Sequence, residues 1–213
     1  MRKLIVLTAM LLTTIAAMAQ HEEGDLVVQP KVGLNIATLS DADKAIFDLH
    51  FGVEAEYMVT DNFSLGLGAI VSNQGAKYDE VYNNQGQLIE EKYTADLDYV
   101  HVPVLASWYV LPGLALKAGV QPGFKMKAKA KFDDHTYDLD RVYQINNLLT
   151  GEDLKVSKFD LSIPVGISYE YKNIVLDARY NWGLIKVLNQ GDAFYNRTFM
   201  LSLGYKLELG DWN

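Results

Sequence analysis

The stretch LALKAGVQPGFKMKAKAKF, residues 114–132, decides the fold. Its even positions are all apolar or small, running from Leu114, Leu116 and Ala118 through Val120, Pro122, Phe124 and Met126 to Ala128, Ala130 and Phe132. The odd positions carry Lys117, Gln121, Lys125, Lys127, Lys129 and Lys131, spaced by Ala115, Gly119 and Gly123. A helix would spread these lysines around its whole circumference, whereas side chains alternate across a strand, so the pattern predicts one long β-strand with an apolar and a polar face. Ordinary globular strands run about 3–10 residues. A longer one suits a wall that crosses a bilayer and projects beyond it, because crossing takes only about 9–11 tilted residues.

Seven further segments alternate in the same way, over about 28–39, 47–59, 63–74, 96–110, 158–171, 174–186 and 197–209. In the second, for example, Phe47, Leu49, Phe51, Val53, Ala55 and Tyr57 oppose Asp48, His50, Gly52, Glu54 and Glu56. The parity of the fourth slips at Leu97 and Tyr99, which reads as a bulge or as the strand leaving its packed environment. Pro122 and Pro164 cannot donate to a ladder, so they too are expected to mark bulges. The connections after the second, fourth and sixth strands are very short, as at Lys172-Asn173, and the others are long. This alternation puts short turns at one rim and polar loops, chiefly 75–95 and 133–157, at the other, as in barrels with periplasmic turns and extracellular loops. Both termini are then expected in the periplasm.

The N-terminus has the layout of a secretory leader. Arg2 and Lys3 precede the apolar run Leu4 to Ile15, and Ala17-Met18-Ala19 forms a small-x-small cleavage site, so residues 1–19 read as a signal peptide and 20–213 as one barrel domain. No segment approaches the roughly 18 continuous apolar residues of a spanning helix. Losing Arg2 and Lys3 takes the formal charge from −8 to −10, which argues against nucleic acid as a partner. With Cys 0, the chain has no disulfide, no thiol nucleophile and no lipid-modified N-terminal cysteine.

Alternation alone also fits a soluble lipocalin-like barrel with its apolar face inward. The glycines argue against it. Gly33, Gly52, Gly66, Gly68, Gly119, Gly123, Gly166, Gly183 and Gly204 all fall on the polar face. Eight strands enclose a space just wide enough for side chains, so small residues there make room for long polar ones. Lys31, Lys117, Lys125, Arg179 and Lys206 share that face with Asp48, Glu54, Glu56, Glu170, Asp177 and Glu208, and pairing would offset part of their desolvation. The apolar face, with Phe47, Phe51, Trp108, Phe124, Tyr180, Trp182, Phe199 and Tyr205, is left for lipid. The fold class expected is therefore all-β, an eight-stranded antiparallel up-and-down transmembrane β-barrel.

Several segments carry a family resemblance: Lys31-Val32-Gly33-Leu34-Asn35, Tyr99-Val100-His101-Val102-Pro103-Val104, Leu161-Ser162-Ile163-Pro164-Val165-Gly166 and the closing Leu203-Gly204-Tyr205-Lys206-Leu207. These resemble recurring pieces of bacterial outer-membrane β-barrel proteins, the "porin family" of small PorT-like and OmpX-like barrels. The resemblance covers essentially the whole mature chain and implies a place in the outer membrane of a Gram-negative cell envelope. Its motifs build a wall and specify no chemistry.

Four histidines are present: His21 and His135 lie outside the strands, and His50 and His101 on the inner face. No metal-ligand spacing, phosphate loop or nucleophile motif occurs, so no catalytic, cofactor-binding or metal residue is assigned and no cofactor is expected. The expected role is non-enzymatic, structural or interactive, through the long extracellular loops. A narrow passive channel, an outer-membrane lipid-modifying enzyme built from Ser72, His101 and Asp160, and the soluble ligand-binding barrel are the alternatives. Expected partners are outer-membrane lipid and lipopolysaccharide, with periplasmic chaperones and the barrel-assembly machinery during biogenesis. The lysines of 125–131 are expected to point inward or to stand above the rim as a paired, solvated face, with contact to lipopolysaccharide phosphate as the alternative.

Overall fold

The computed structural model describes residues 22–40, 44–78, 81–82, 88–90, 93–132, 135–150, 155–188 and 194–211. The expected leader, 1–19, lies outside the described residues. The strands are β1 (Asp25–Leu39), β2 (Ile46–Thr60), β3 (Phe63–Tyr78), β4 (Val81–Tyr82), β5 (Leu88–Glu90), β6 (Tyr93–His101), β7 (Val104–Leu111), β8 (Leu114–Phe132) and β9 (His135–Asp138). A helix α1 (Leu139–Thr150) follows, then β10 (Phe159–Tyr171), β11 (Ile174–Lys186), β12 (Tyr195–Tyr205) and β13 (Leu207–Asp211).

Each long strand pairs antiparallel with its sequence neighbour, and β1 closes the sheet by pairing with β12 and β13. Taking β6 with β7 and β12 with β13 as single staves, the wall has eight staves in up-and-down order. Closure satisfies every stave on both edges, which a sheet in hydrocarbon requires. The eight-stranded antiparallel barrel expected from the alternation is the fold observed.

The faces are also as expected. Leu34, Phe47, Leu49, Phe51, Leu65, Leu67, Val104, Trp108, Leu116, Val165, Leu176 and Trp182 are outward and exposed, while Lys31, His50, Glu54, Lys117, Asp177 and Arg179 are buried inside. Gly33 shows what the inner glycines do: a Cβ there would lie 2.1 Å from the Leu201 carbonyl oxygen and 2.6 Å from the His50 ring. Short turns join β2 to β3, β7 to β8 and β10 to β11, the second using Gly113 at φ 77° and the third Lys172 at φ 56°.

Three expectations about regularity are corrected. The alternation of residues 114–132 does not hold throughout, because Asp98 faces Lys127 while Tyr99 faces Lys125, leaving Met126 as an extra residue in β8. Below this bulge Lys117, Gln121 and Lys125 point inward; above it Ala128 and Ala130 are buried inside, and Lys127, Lys129 and Lys131 face out. Secondly, the slip at Leu97 and Tyr99 is not a bulge in β6, whose register with β3 runs unbroken from His101 to Tyr93. The interior itself changes there from polar to apolar. Thirdly, Pro122 and Pro164 sit in continuous register, opposite Leu161 and Asn181. Each removes a single donor without adding a residue, and the Pro122 carbonyl still accepts from the Val102 N–H at 2.8 Å.

The long connections hold more structure than loops. β3 runs on to Tyr78, β4 pairs with β5 in a short hairpin, and the stretch after β8 forms β9 and the twelve-residue α1. At this rim Leu39, Ala76, Leu97, Tyr99, Ala128, Ala130, Leu139, Val156 and Val187 form one buried apolar cluster, with Leu188 and Phe194 packed against it. Gly75, at φ 145°, admits no side chain, since a Cβ would meet the Ala95 carbonyl oxygen at 1.9 Å.

Candidate functional site: the filled lumen

Side chains from all eight staves meet inside the barrel at the end that carries the short turns. Arg179 of β11 reaches across to β2, donating from Nη1 to Glu54 Oε1 at 2.9 Å, and from Nη2 to Asp177 Oδ2 at 3.1 Å. Lys31 of β1 donates to Glu54 at 3.2 Å, and Lys117 of β8 lies 3.7 Å from Asp177. A second knot forms around Lys206, which lies 2.8 Å from Glu170 of β10 and 3.1 Å from Glu56 of β2. Lys206 also donates to the Tyr109 hydroxyl at 2.8 Å, and Tyr109 of β7 donates to Glu56 at 2.9 Å. Ser64 of β3 donates to the same carboxylate.

Strand parity explains this convergence. Glu54 and Glu56 are two apart on β2, and Asp177 and Arg179 two apart on β11, so each pair points to one face and stacks along the axis. The glycines beside them leave room for the long arms: a Cβ at Gly68 would come within 2.7 Å of the Glu54 side chain, and one at Gly166 within 3.3 Å of Arg179 Cβ. Both signs are present in compact alternation, which offsets the cost of burying charge in so narrow a space.

Of the inward charges expected from sequence, Lys31, Lys117, Arg179, Lys206, Glu54, Glu56, Glu170 and Asp177 are brought together. Asp48 and Glu208 are exposed and take no part, because they lie at the two ends of the wall. Lys125 pairs upward with Asp140 of α1 at 2.6 Å, a partner inside what read as a loop. Tyr109 and Ser64 were not singled out. Their inward parity was visible in the sequence, but their hydrogen bonds depend on which staves face each other.

Above the charges lies a second polar layer. His50 shares a 2.7 Å hydrogen bond with Ser202, and the His101 ring meets Gln74 at 2.9 Å and stacks on Tyr99 at 5.4 Å. His101 and Asp160 flank Gly123, where a Cβ would lie 2.7 Å from the ring and 3.4 Å from Asp160 Cβ. Ser72, His101 and Asp160 are all buried, but His101 Nε2 is engaged by Gln74 and no bond to Ser72 links them among the described residues. They form no relay, and they face the lumen under the apolar cluster instead of the lipid. No group of three or more metal-ligating side chains occurs among the described residues.

The interior therefore has three levels: an ion-paired network, a hydrogen-bonding layer, and an apolar seal at the rim of long connections. Ail, the attachment invasion locus protein of Yersinia pestis, has 16% identity and a TM-score of 0.48, over 87% of this chain and 99% of its own. OprG from Pseudomonas aeruginosa has 15% identity and a TM-score of 0.48, over 89% and 99%. Neisserial surface protein A has 14% identity and a TM-score of 0.49, over 86% and 97%. No curated protein matches the sequence. A family model described as the outer membrane protein beta-barrel domain matches residues 18–189, and the chain belongs to that family of outer-membrane barrels.

Proposed function

We propose that this protein is a closed, non-enzymatic barrel that works as a scaffold for contacts made at its rim of long connections. The observation that supports this reading is the filled lumen. A solute passing through would first have to separate Arg179 from Glu54 and Lys206 from Glu170, then cross the apolar level around Leu97, Tyr99 and Leu139. Separating buried ion pairs leaves uncompensated charge in a narrow space, and the largely apolar level above gives ions little in place of their water.

In this reading the long connections are extracellular and both termini periplasmic, after export by the leader at 1–19 and delivery by periplasmic chaperones and the barrel-assembly machinery. Outer-membrane lipid and lipopolysaccharide surround the wall. Lys127, Lys129 and Lys131 stand outward just above the lipid-facing Phe124 and Met126, with Asp98 and Asp96 of β6 opposite Lys127 and Lys129 and Asp96 paired with Lys131.

Planar-bilayer recordings on refolded protein test the closed lumen, with at most small, irregular current expected. Steady, large unitary steps that shrink when a bulky residue replaces Gly119 would make the protein a channel. Turnover of outer-membrane lipid by the pure protein, lost in Ser72→Ala, would make it an enzyme.

A further inference from the structure

Helix α1 is amphipathic in an unusual sense: its apolar side faces away from the barrel. Val142, Ile145 and Leu148, three residues apart and so on one side of the helix, are 41%, 55% and 84% exposed. The edge turned to the barrel holds Leu139, buried in the apolar cluster, and Asp140, paired with Lys125 through contacts of 2.6 and 2.8 Å. A helix resting on a water-exposed rim should bury its apolar stripe.

Its height on the wall suggests what covers that stripe. β9 brings the chain back down β8, with His135 opposite Phe132 and Asp138 opposite Lys129, so α1 begins beside the outward lysines. Just below, Phe124 and Phe159 pack on the outer surface with ring centroids 5.6 Å apart. The helix thus starts just above the aromatic part of the wall, where Lys127 and Lys129 lie opposite Asp98 and Asp96 and Lys131 pairs with Asp96, and Arg141 is exposed next to its apolar side.

We propose that α1 is an interfacial helix that lies on the outer leaflet, with Val142, Ile145 and Leu148 among acyl chains and Arg141 on a lipid phosphate. An exposed apolar face bordered by a cation, just above an outward apolar wall, is what an interfacial helix needs. A second copy fits less well, because a two-fold contact through this face would set like charges against each other. The proposal rests on the extracellular placement of this rim for the leaflet it names, and it makes no use of the closed lumen.

The chain has Cys 0, so single cysteines can report on the helix without background. Full-length Ile145→Cys, Leu148→Cys and, on the opposite side of the helix, Asn147→Cys, each carrying an environment-sensitive fluorophore, would be refolded into phosphatidylcholine vesicles with and without lipid A. Heat-modifiable gel mobility would confirm closure of each barrel. Expected are a blue shift and severalfold protection from iodide at 145 and 148 but not at 147, increased by lipid A, with that increase lost in Arg141→Gln. Equal aqueous emission from all three sites in both vesicles would overturn the proposal. So would protection that rises with protein per vesicle, which would assign the face to a second copy. Bilayer current is not read here, so failure of this test and failure of the closed-lumen reading remain separable.

Discussion

Arg179 and Glu54 show how a single residue governs this interior. Glu54 accepts from Arg179 and from Lys31, so Glu54→Gln keeps the shape and leaves two buried cations short of a counter-charge. Breaking a buried pair from one side costs about 3–5 kcal/mol, and urea unfolding of the refolded variant should show a loss of that order. On the other face the sign of tolerance reverses. Val104→Arg or Leu176→Arg should cost about 2–4 kcal/mol near the bilayer middle. Ser107, buried inside at 2% exposure, is the control. Equal tolerance of polar replacement at Val104 and Ser107 would mean that the apolar face is not in lipid.

At the scale of elements, the bulge in β8 does the most. One unpaired residue, Met126, turns Lys127, Lys129 and Lys131 outward and Ala128 and Ala130 inward. A one-residue change of register moves a whole set of side chains to the opposite face. Deleting Met126 should therefore straighten β8 and still leave Lys127, Lys129 and Lys131 outward, because Lys127 would then follow Lys125 directly in the register with β6. Retention of the heat-modifiable folded band, with little change in the urea midpoint, is expected. Loss of that band would show that the upper part of β8 needs the bulge itself and not only the parity it restores.

For the whole molecule, an exposed apolar belt around a charged interior is stable only in lipid. The full-length protein should fractionate with the outer membrane and need detergent for extraction. Recovery as a soluble periplasmic monomer would return the lipocalin-like reading. The interior makes a further demand on this scale: because the ionic network and the apolar seal lie in series, Glu54→Gln alone should leave bilayer current low. A steady conductance in that variant would show that the seal around Leu97 and Leu139 does not close the upper lumen.

The sequence by itself determined the architecture. A period of two sustained in eight segments admits only strands, glycine on the polar face assigned the inside, and alternating connection lengths ordered the staves. It also named most of the inward charges, because parity is a local property. Partner choice is not local. That Arg179 meets Glu54 across the lumen, that Lys206 binds Tyr109, and that Lys125 turns up to Asp140 depends on the stagger of staves far apart in the chain. The bulge was hidden for the same reason. A lysine–alanine alternation reads identically whichever face holds the lysines, and only the pairing of β8 with β6, which skips Met126, decides it. The helix was masked by its setting: Leu139 to Thr150 turns apolar residues outward, so the stripe that marks an ordinary surface helix has no core to face, and only the tertiary structure places it beside the charged edge of the wall.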